Sequence, residues 1–187
     1  MIDLKKLHDI LVMKITETQF LTMIVGKGGV NWTPEFPVDR GYVDIFVPKQ
    51  EPKIEQPYVI EIETGYDLNC AGIIQKFRRF QTALRKSPGF FVAARTGVIT
   101  GKPVEPNLVI VIPKGFEEFL GFFKNVGISV FIWEGQGKWE CTVCKQIKLA
   151  EAPWKPTQCI PCDKQGRSFT LVGLNNFKLT EAYHVPK

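Results

Sequence analysis

No apolar run in these 187 residues approaches the roughly 20 residues of a membrane-spanning helix. No export signal is expected either: the first stretch, MIDLKKLHDILVMKI, carries Asp3 and Asp9 inside an amphipathic pattern, unlike a signal sequence. The expectation is a cytoplasmic protein with no membrane partner. Internal repeats and low-complexity segments are absent, so neither a repeat array nor a biased tail is expected. The cluster Gly26-Lys27-Gly28-Gly29 lacks the Lys-Ser/Thr ending of a phosphate-binding loop and is discounted as one. Charge of one sign is scarce as well. The net charge is +5; residues 1–137 hold 16 Lys/Arg against 15 Asp/Glu, and the excess begins in 138–172, with 6 against 3. Such a balance does not by itself identify a nucleic-acid partner.

Cysteine is sparse, five in all, yet four of them form Cys141-x-x-Cys144 and Cys159-x-x-Cys162, with fourteen residues between the pairs. Two disulfides in a secreted module would use four cysteines, but without an export signal the spacing favours a tetrahedral zinc site. A segment too small for its own core is then held together by one structural zinc per chain. Cys70 is left over and reads as a small buried apolar residue.

Hydrophobic residues make up 44% of the chain, enough for an ordinary core. Leu4, Leu7, Leu11 and Ile15 recur at helical spacing and predict a first helix over 2–16. QFLTMIV, residues 19–25, reads as a strand, and 30–41, with Pro34, Pro37 and Gly41, as a loop. Strands follow at 42–47 (YVDIFV) and 58–64 (YVIEIET). In the latter, alternation puts Glu61 and Glu63 on one side and Ile60 and Ile62 on the other. Sixteen residues separate Asp44 from Glu61, and the three carboxylates are expected to share one surface. A divalent cation is one way to keep such a group ionised.

A long helix is expected over 67–87, with Ile73, Ile74, Phe77, Phe80 and Leu84 inward and a polar stripe of Gln75, Arg79, Thr82 and Lys86 outward, ending at Ser87-Pro88-Gly89. Residues 90–101 read as a short extended piece. NLVIVI at 107–112 predicts a doubly buried strand. A short helix through Phe116, Phe119, Leu120 and Phe123 and a second buried strand at 128–133 follow. The sum is an α/β chain of order αβββαβαβ with a mixed sheet. Glu134-Gly135-Gln136-Gly137 marks the expected boundary between a body (1–135) and the cysteine module (138–172). Residues 173–187 are expected to pack back through Phe177, Leu179 and Tyr183.

This order, with VDIFV and IEIET, resembles the PD-(D/E)xK nuclease superfamily, the restriction-endonuclease-like fold, over about residues 1–133; the module resembles a zinc ribbon. The resemblance implies a metal-dependent DNA endonuclease, with RNA left open as substrate, in which Asp44 and Glu61 bind catalytic Mg²⁺ or Mn²⁺. Glu63 stands where the family usually has lysine, as it does in one restriction enzyme of the superfamily, and would bind a second ion or take a proton from water. Lys76 matches relatives that move the lysine to the following helix, and Gln75 matches a glutamine found there. Glu17, after the first helix, is a further candidate ligand. Arg79 and Lys86 are expected to hold phosphates. In the module Lys138, Lys145, Lys148, Lys155, Lys164 and Arg167, interleaved with Trp139, Trp154 and Phe169, are expected to contact nucleic acid, although the same residues would also suit a small core or a protein partner. Double-strand cleavage would call for a homodimer. The other reading of the whole is a catalytically inactive nuclease-fold protein that binds nucleic acid or serves protein assembly.

Overall fold

The computed structural model describes residues 4–38, 41–66, 68–86, 105–162, 164–165 and 169–186. Helix α1 (Leu4–Ile15) turns Leu7, Leu11 and Ile15 inward, and a second helix, α2 (Thr18–Val25), follows after a two-residue break. The expected strand at 19–25 is therefore a helix. An apolar run this short fits either period, and the buried positions Leu21, Ile24 and Val25 follow the helical one. Gly26 closes α2 in the left-handed conformation, its N–H bonded to Thr22 O at 2.8 Å. The glycine cluster is a helix stop.

The expected loop holds the first strand, β1 (Thr33–Val38). Its two prolines are compatible with a strand because, among the described residues, β1 is at the sheet edge and pairs with β2 (Gly41–Val47) alone. Strand β3 (Tyr58–Ile62) pairs antiparallel with β2, while β4 (Asn107–Pro113) and the first part of β5 (Ser129–Cys141) continue the sheet in parallel. Helix α3 (Cys70–Lys86) connects into β4. A 3₁₀ turn, Glu117–Phe119, and the short helix α4 (Leu120–Lys124) lead to β5. The expected helix stop at 87–89 and the piece at 90–101 lie outside the described residues.

The sheet is mixed and covered on both faces. On one side Ile45, Ile60, Ile62, Val109, Val111 and Trp133 pack with α1 and α2; on the other Val43, Val59, Ile110 and Ile112 pack with Phe77, Phe80 and Leu84 of α3 and Phe123 of α4. Cys70, half-buried at the start of α3, packs against the second group.

The chain does not break at Glu134–Gly137. Strand β5 runs through it, pairing first with β4 and then with β6 (Ile147–Glu151), while β9 (Phe169–Tyr183) lies along its other edge from Val130 to Cys141. The glycines there serve close packing rather than flexibility: a Cβ on Gly137 would lie 2.5 Å from Trp139 Nε1 and 3.2 Å from Leu171. The segment expected to pack back is the second half of β9, with Leu179 buried in the core. A small hairpin, β7 (Gln158–Cys159) with β8 (Lys164–Gln165), completes the module. No helix among the described residues is long and apolar enough to cross a membrane.

Candidate acidic and metal site

The β2–β3 ladder ends at the pair Ile45–Ile60, one position before Asp44 and Glu61. Beyond it the Asp44 carboxylate takes the place of a ladder partner, with Oδ2 accepting the N–H of Ile62 at 2.7 Å. Ile60 and Ile62 pack toward α1 as the alternation requires, and Glu61 projects the other way, where its Oε2 accepts from Lys76 Nζ of α3. Glu61 is 1% exposed, and its second oxygen, Oε1, is buried with no hydrogen-bond partner. Glu63 follows just past the strand end. Its N–H bonds to Val111 O at 2.9 Å and its carbonyl accepts from Trp133 Nε1 at 3.1 Å, which fixes the backbone beneath the carboxylate.

Burial dominates the electrostatics. It pushes Glu61 well above the usual carboxylate range, with Asp44 and Glu63 adding to the rise and Lys76 opposing it without overcoming it. Glu63 is pushed up to about 7 by burial and then by Asp44, with Lys76 and His8 pulling it down. A carboxyl that is costly to ionise beside like charges is what a divalent cation relieves, and the set offers hard oxygen donors suited to Mg²⁺ or Mn²⁺. Among the described residues, however, the acids do not form a group of three ligand atoms within 4.8 Å; only the four cysteines do. Instead, Lys76 engages Glu61 and His8 engages Asp44.

His8 is the residue the sequence reading missed. Its Nε2 lies 3.3 Å from Asp44 Oδ2, and Asp44 holds the imidazole above its ordinary pKa against the opposing effect of burial. The available signal was its position: His8 shares a helix face with Leu4, Leu11 and Ile15, so a titratable group stands on the core-facing stripe of α1. The side chain that α1 sends to the acids is thus His8, whereas Glu17, the candidate at its far end, is half-buried and pairs with Lys14 at 2.7 Å.

Gln75 is exposed, one position round the helix from Lys76. Arg79 and Lys86 are exposed as expected, and with Arg78, Thr82 and Ala83 they line a shallow groove of about 300 Å³.

The four cysteine Sγ atoms all lie within 4.8 Å of one another, with Cys141–Cys162 and Cys144–Cys159 at 3.5 Å. Tetrahedral zinc with sulfur ligands at ~2.3 Å needs edges of about 3.8 Å, so the set is compatible with a zinc site. Cys141 ends β5. Backbone N–H groups of Cys144 and Val143 turn toward its sulfur and hold its thiol down to about 6, whereas burial raises Cys159 and pushes Cys162 up to about 12. Of the aromatics expected at the module surface, Trp139 and Phe169 are buried, because both face the small core beneath the cysteines; Trp154 is exposed. Lys145 pairs with Glu140 at 3.2 Å and Lys148 donates to Gln158 O at 3.2 Å, both from exposed positions. The Lys164 side chain and Arg167 lie outside the described residues.

Compared with models of protein families, with curated proteins and with solved structures, the chain matches none of them.

Proposed function

We propose that the chain is a Mg²⁺- or Mn²⁺-dependent nuclease that hydrolyses phosphodiester bonds in DNA, with a zinc-stabilised module aiding substrate binding. The observation that carries this reading is Glu61, almost wholly buried with one carboxylate oxygen unpartnered, next to Asp44 and Glu63 and in contact with Lys76. Burial of that kind is unfavourable for stability and calls for a compensating role. It also agrees with the resemblance of VDIFV and IEIET to the metal-binding strands of the PD-(D/E)xK superfamily. Asp44 and Glu61 would hold the cation, which when bound polarises a phosphodiester and acidifies a water. Glu63, with a carboxyl poised at about 7, suits acceptance of a proton near neutrality. Lys76 is placed to exchange Glu61 for a phosphate oxygen, and the groove with Arg79 and Lys86 suits flanking phosphates.

A second reading, a nuclease-fold protein that binds nucleic acid without cutting, is favoured by the engagement of Asp44 by His8 and of Glu61 by Lys76. A panel of single-stranded, duplex and branched DNAs incubated with Mg²⁺ or Mn²⁺ separates the two. The nuclease reading expects cleavage that Asp44→Ala and Glu61→Ala abolish while the variants stay folded; a panel left intact by the unaltered protein sinks it.

A further inference from the structure

Trp154 is the most exposed of the tryptophans. The residue is 55% exposed, whereas Trp133 and Trp139 are buried in the core. The loop beneath it is held on both sides: Ala152 N–H bonds to Gly135 O at 2.9 Å, and Trp154 N–H to Glu151 O at 3.0 Å. The ring meets Tyr66 edge-on, centroids 5.5 Å apart at 66°, and the Tyr66 hydroxyl donates to Pro153 O at 3.0 Å. An exposed indole on a fixed backbone loses little conformational freedom on contacting a flat partner.

Tyr66 ties this ring to the acids. It follows Glu63 by three residues, through Gly65, whose φ of +91° is matched by close packing: a Cβ there would lie 2.7 Å from Pro113 and 2.9 Å from Phe116. The cysteine module thus reaches the body next to the acidic cluster. Three residues span at most about 10 Å of backbone from Glu63 to Tyr66, and the Trp154 ring lies 5.5 Å from the Tyr66 ring, a reach of a few nucleotides at ~3.4 Å of rise each. Lys155, half-buried and next to Trp154 in sequence, has no carboxylate partner among the described residues.

We infer that Trp154, seated on Tyr66 beside the acidic cluster, is a stacking platform for an unpaired base of the nucleic-acid substrate. The inference rests on the nuclease reading for the position of the acids and adds a substrate class to it. Bases inside a duplex hide their faces in the stack, whereas an isolated ring at the surface can cover the face of a base that has none of its neighbours on one side. Single strands, frayed ends and flaps offer such bases; intact duplex does not. Stacking of this kind contributes ~1–3 kcal/mol per base, so its loss corresponds to roughly a 5- to 150-fold weakening of binding.

The test is binding of fluorescein-labelled oligo(dT) and of a blunt duplex of equal length, by anisotropy, with Ca²⁺ in place of Mg²⁺ and the full chain throughout. Trp154→Ala should bind oligo(dT) at least about fivefold more weakly, Trp154→Phe should recover most of the loss, and duplex binding should change less than about threefold. Zinc content and thermal midpoint of both variants check the fold, and the Phe variant keeps the comparison informative where the Ala variant is damaged. Unchanged oligo(dT) binding in Trp154→Ala, equal losses on single strand and duplex, or no single-strand binding by the unaltered protein would each overturn the inference. None of these results touches Asp44-dependent cleavage, and absence of cleavage leaves the binding comparison intact, so the two readings fail separately.

Discussion

Replacing Glu63 by glutamine should stabilise the protein at pH 8 and do so much less at pH 5. The carboxyl titrates at about 7 in the folded state against an ordinary 4.5, so between those values the folded chain keeps a proton that the unfolded chain releases. Stability from this group is therefore fully present below pH 4.5 and is lost as pH rises through 7. At ~1.4 kcal/mol for each tenfold step in proton affinity, the loss is bounded at roughly 3.5 kcal/mol. Solvent access at the strand end lowers that bound. Glutamine is uncharged at every pH and escapes the loss, so the variant should gain up to ~3 kcal/mol at pH 8, or about 6–12 °C in thermal midpoint for a chain of this size. His8 acts in the same direction in both proteins: Asp44 raises its folded pKa above 6.5, so its contribution is present below 6.5 and is also lost as pH rises. It cancels to first order in the difference. Urea unfolding followed by tryptophan fluorescence at pH 5 and pH 8 measures the effect, and under the nuclease reading Mn²⁺ should narrow the gap at pH 8 by stabilising the ionised acids. Superimposable curves at pH 8, or an equal gap at pH 5, would refute the electrostatic account of the site.

Three further outcomes are expected. Gly65→Ala should destabilise by about 2–4 kcal/mol in urea unfolding, because the alanine would adopt a left-handed φ and press its Cβ into Pro113 and Phe116. His8→Ala should cost ~1–2 kcal/mol at pH 6, with a smaller penalty at pH 9, since the charged form of the imidazole is the one Asp44 favours; thermal unfolding at the two pH values reads it. Elemental analysis should find about one zinc per chain, lost in Cys141→Ser. Hydrogen exchange in that variant should then rise in β6 and in the half of β9 paired with Gln136–Cys141, and much less where β9 pairs with Val130–Glu134.

The strands that build the acidic site were legible because their signals are local. YVIEIET alternates cleanly, and Ile60 and Ile62 go one way while Glu61 goes the other. The apolar stripe of α3 likewise has a single period, and Ile73, Phe77, Phe80 and Leu84 are all buried. What was not legible depended on distant partners. QFLTMIV satisfies two periods at once, and packing with α1 and β3 decides for the helix. TPEFPV reads as a loop until its place at the sheet edge is known. His8 meets Asp44 across 36 positions of sequence, a separation no local pattern reports. Trp139 and Phe169 looked like surface aromatics among lysines, yet β5 and β9 turn both toward the cysteine core.

Gly135 and Gly137 carry the larger consequence. In sequence they mark a boundary between a body and an appendage; in the structure they sit where β5 meets β9, Gly135 with a tight fit against Leu174 and Gly137 with no room for a Cβ against Trp139. The strand therefore passes without a break, through two irregularities in its pairing with β9, from beneath Glu63, whose carbonyl is held by Trp133, to Cys141 at the metal-ligand cluster. Because Trp133 and Cys141 belong to the same strand, the sulfur cluster and the acids are fixed in one frame. The second link, from Tyr66 to Pro153, runs parallel to it at the surface. Two independent connections constrain the relative orientation of the parts far more than one would, so loss of zinc should alter how Trp154 is presented beside the acids before it unfolds them.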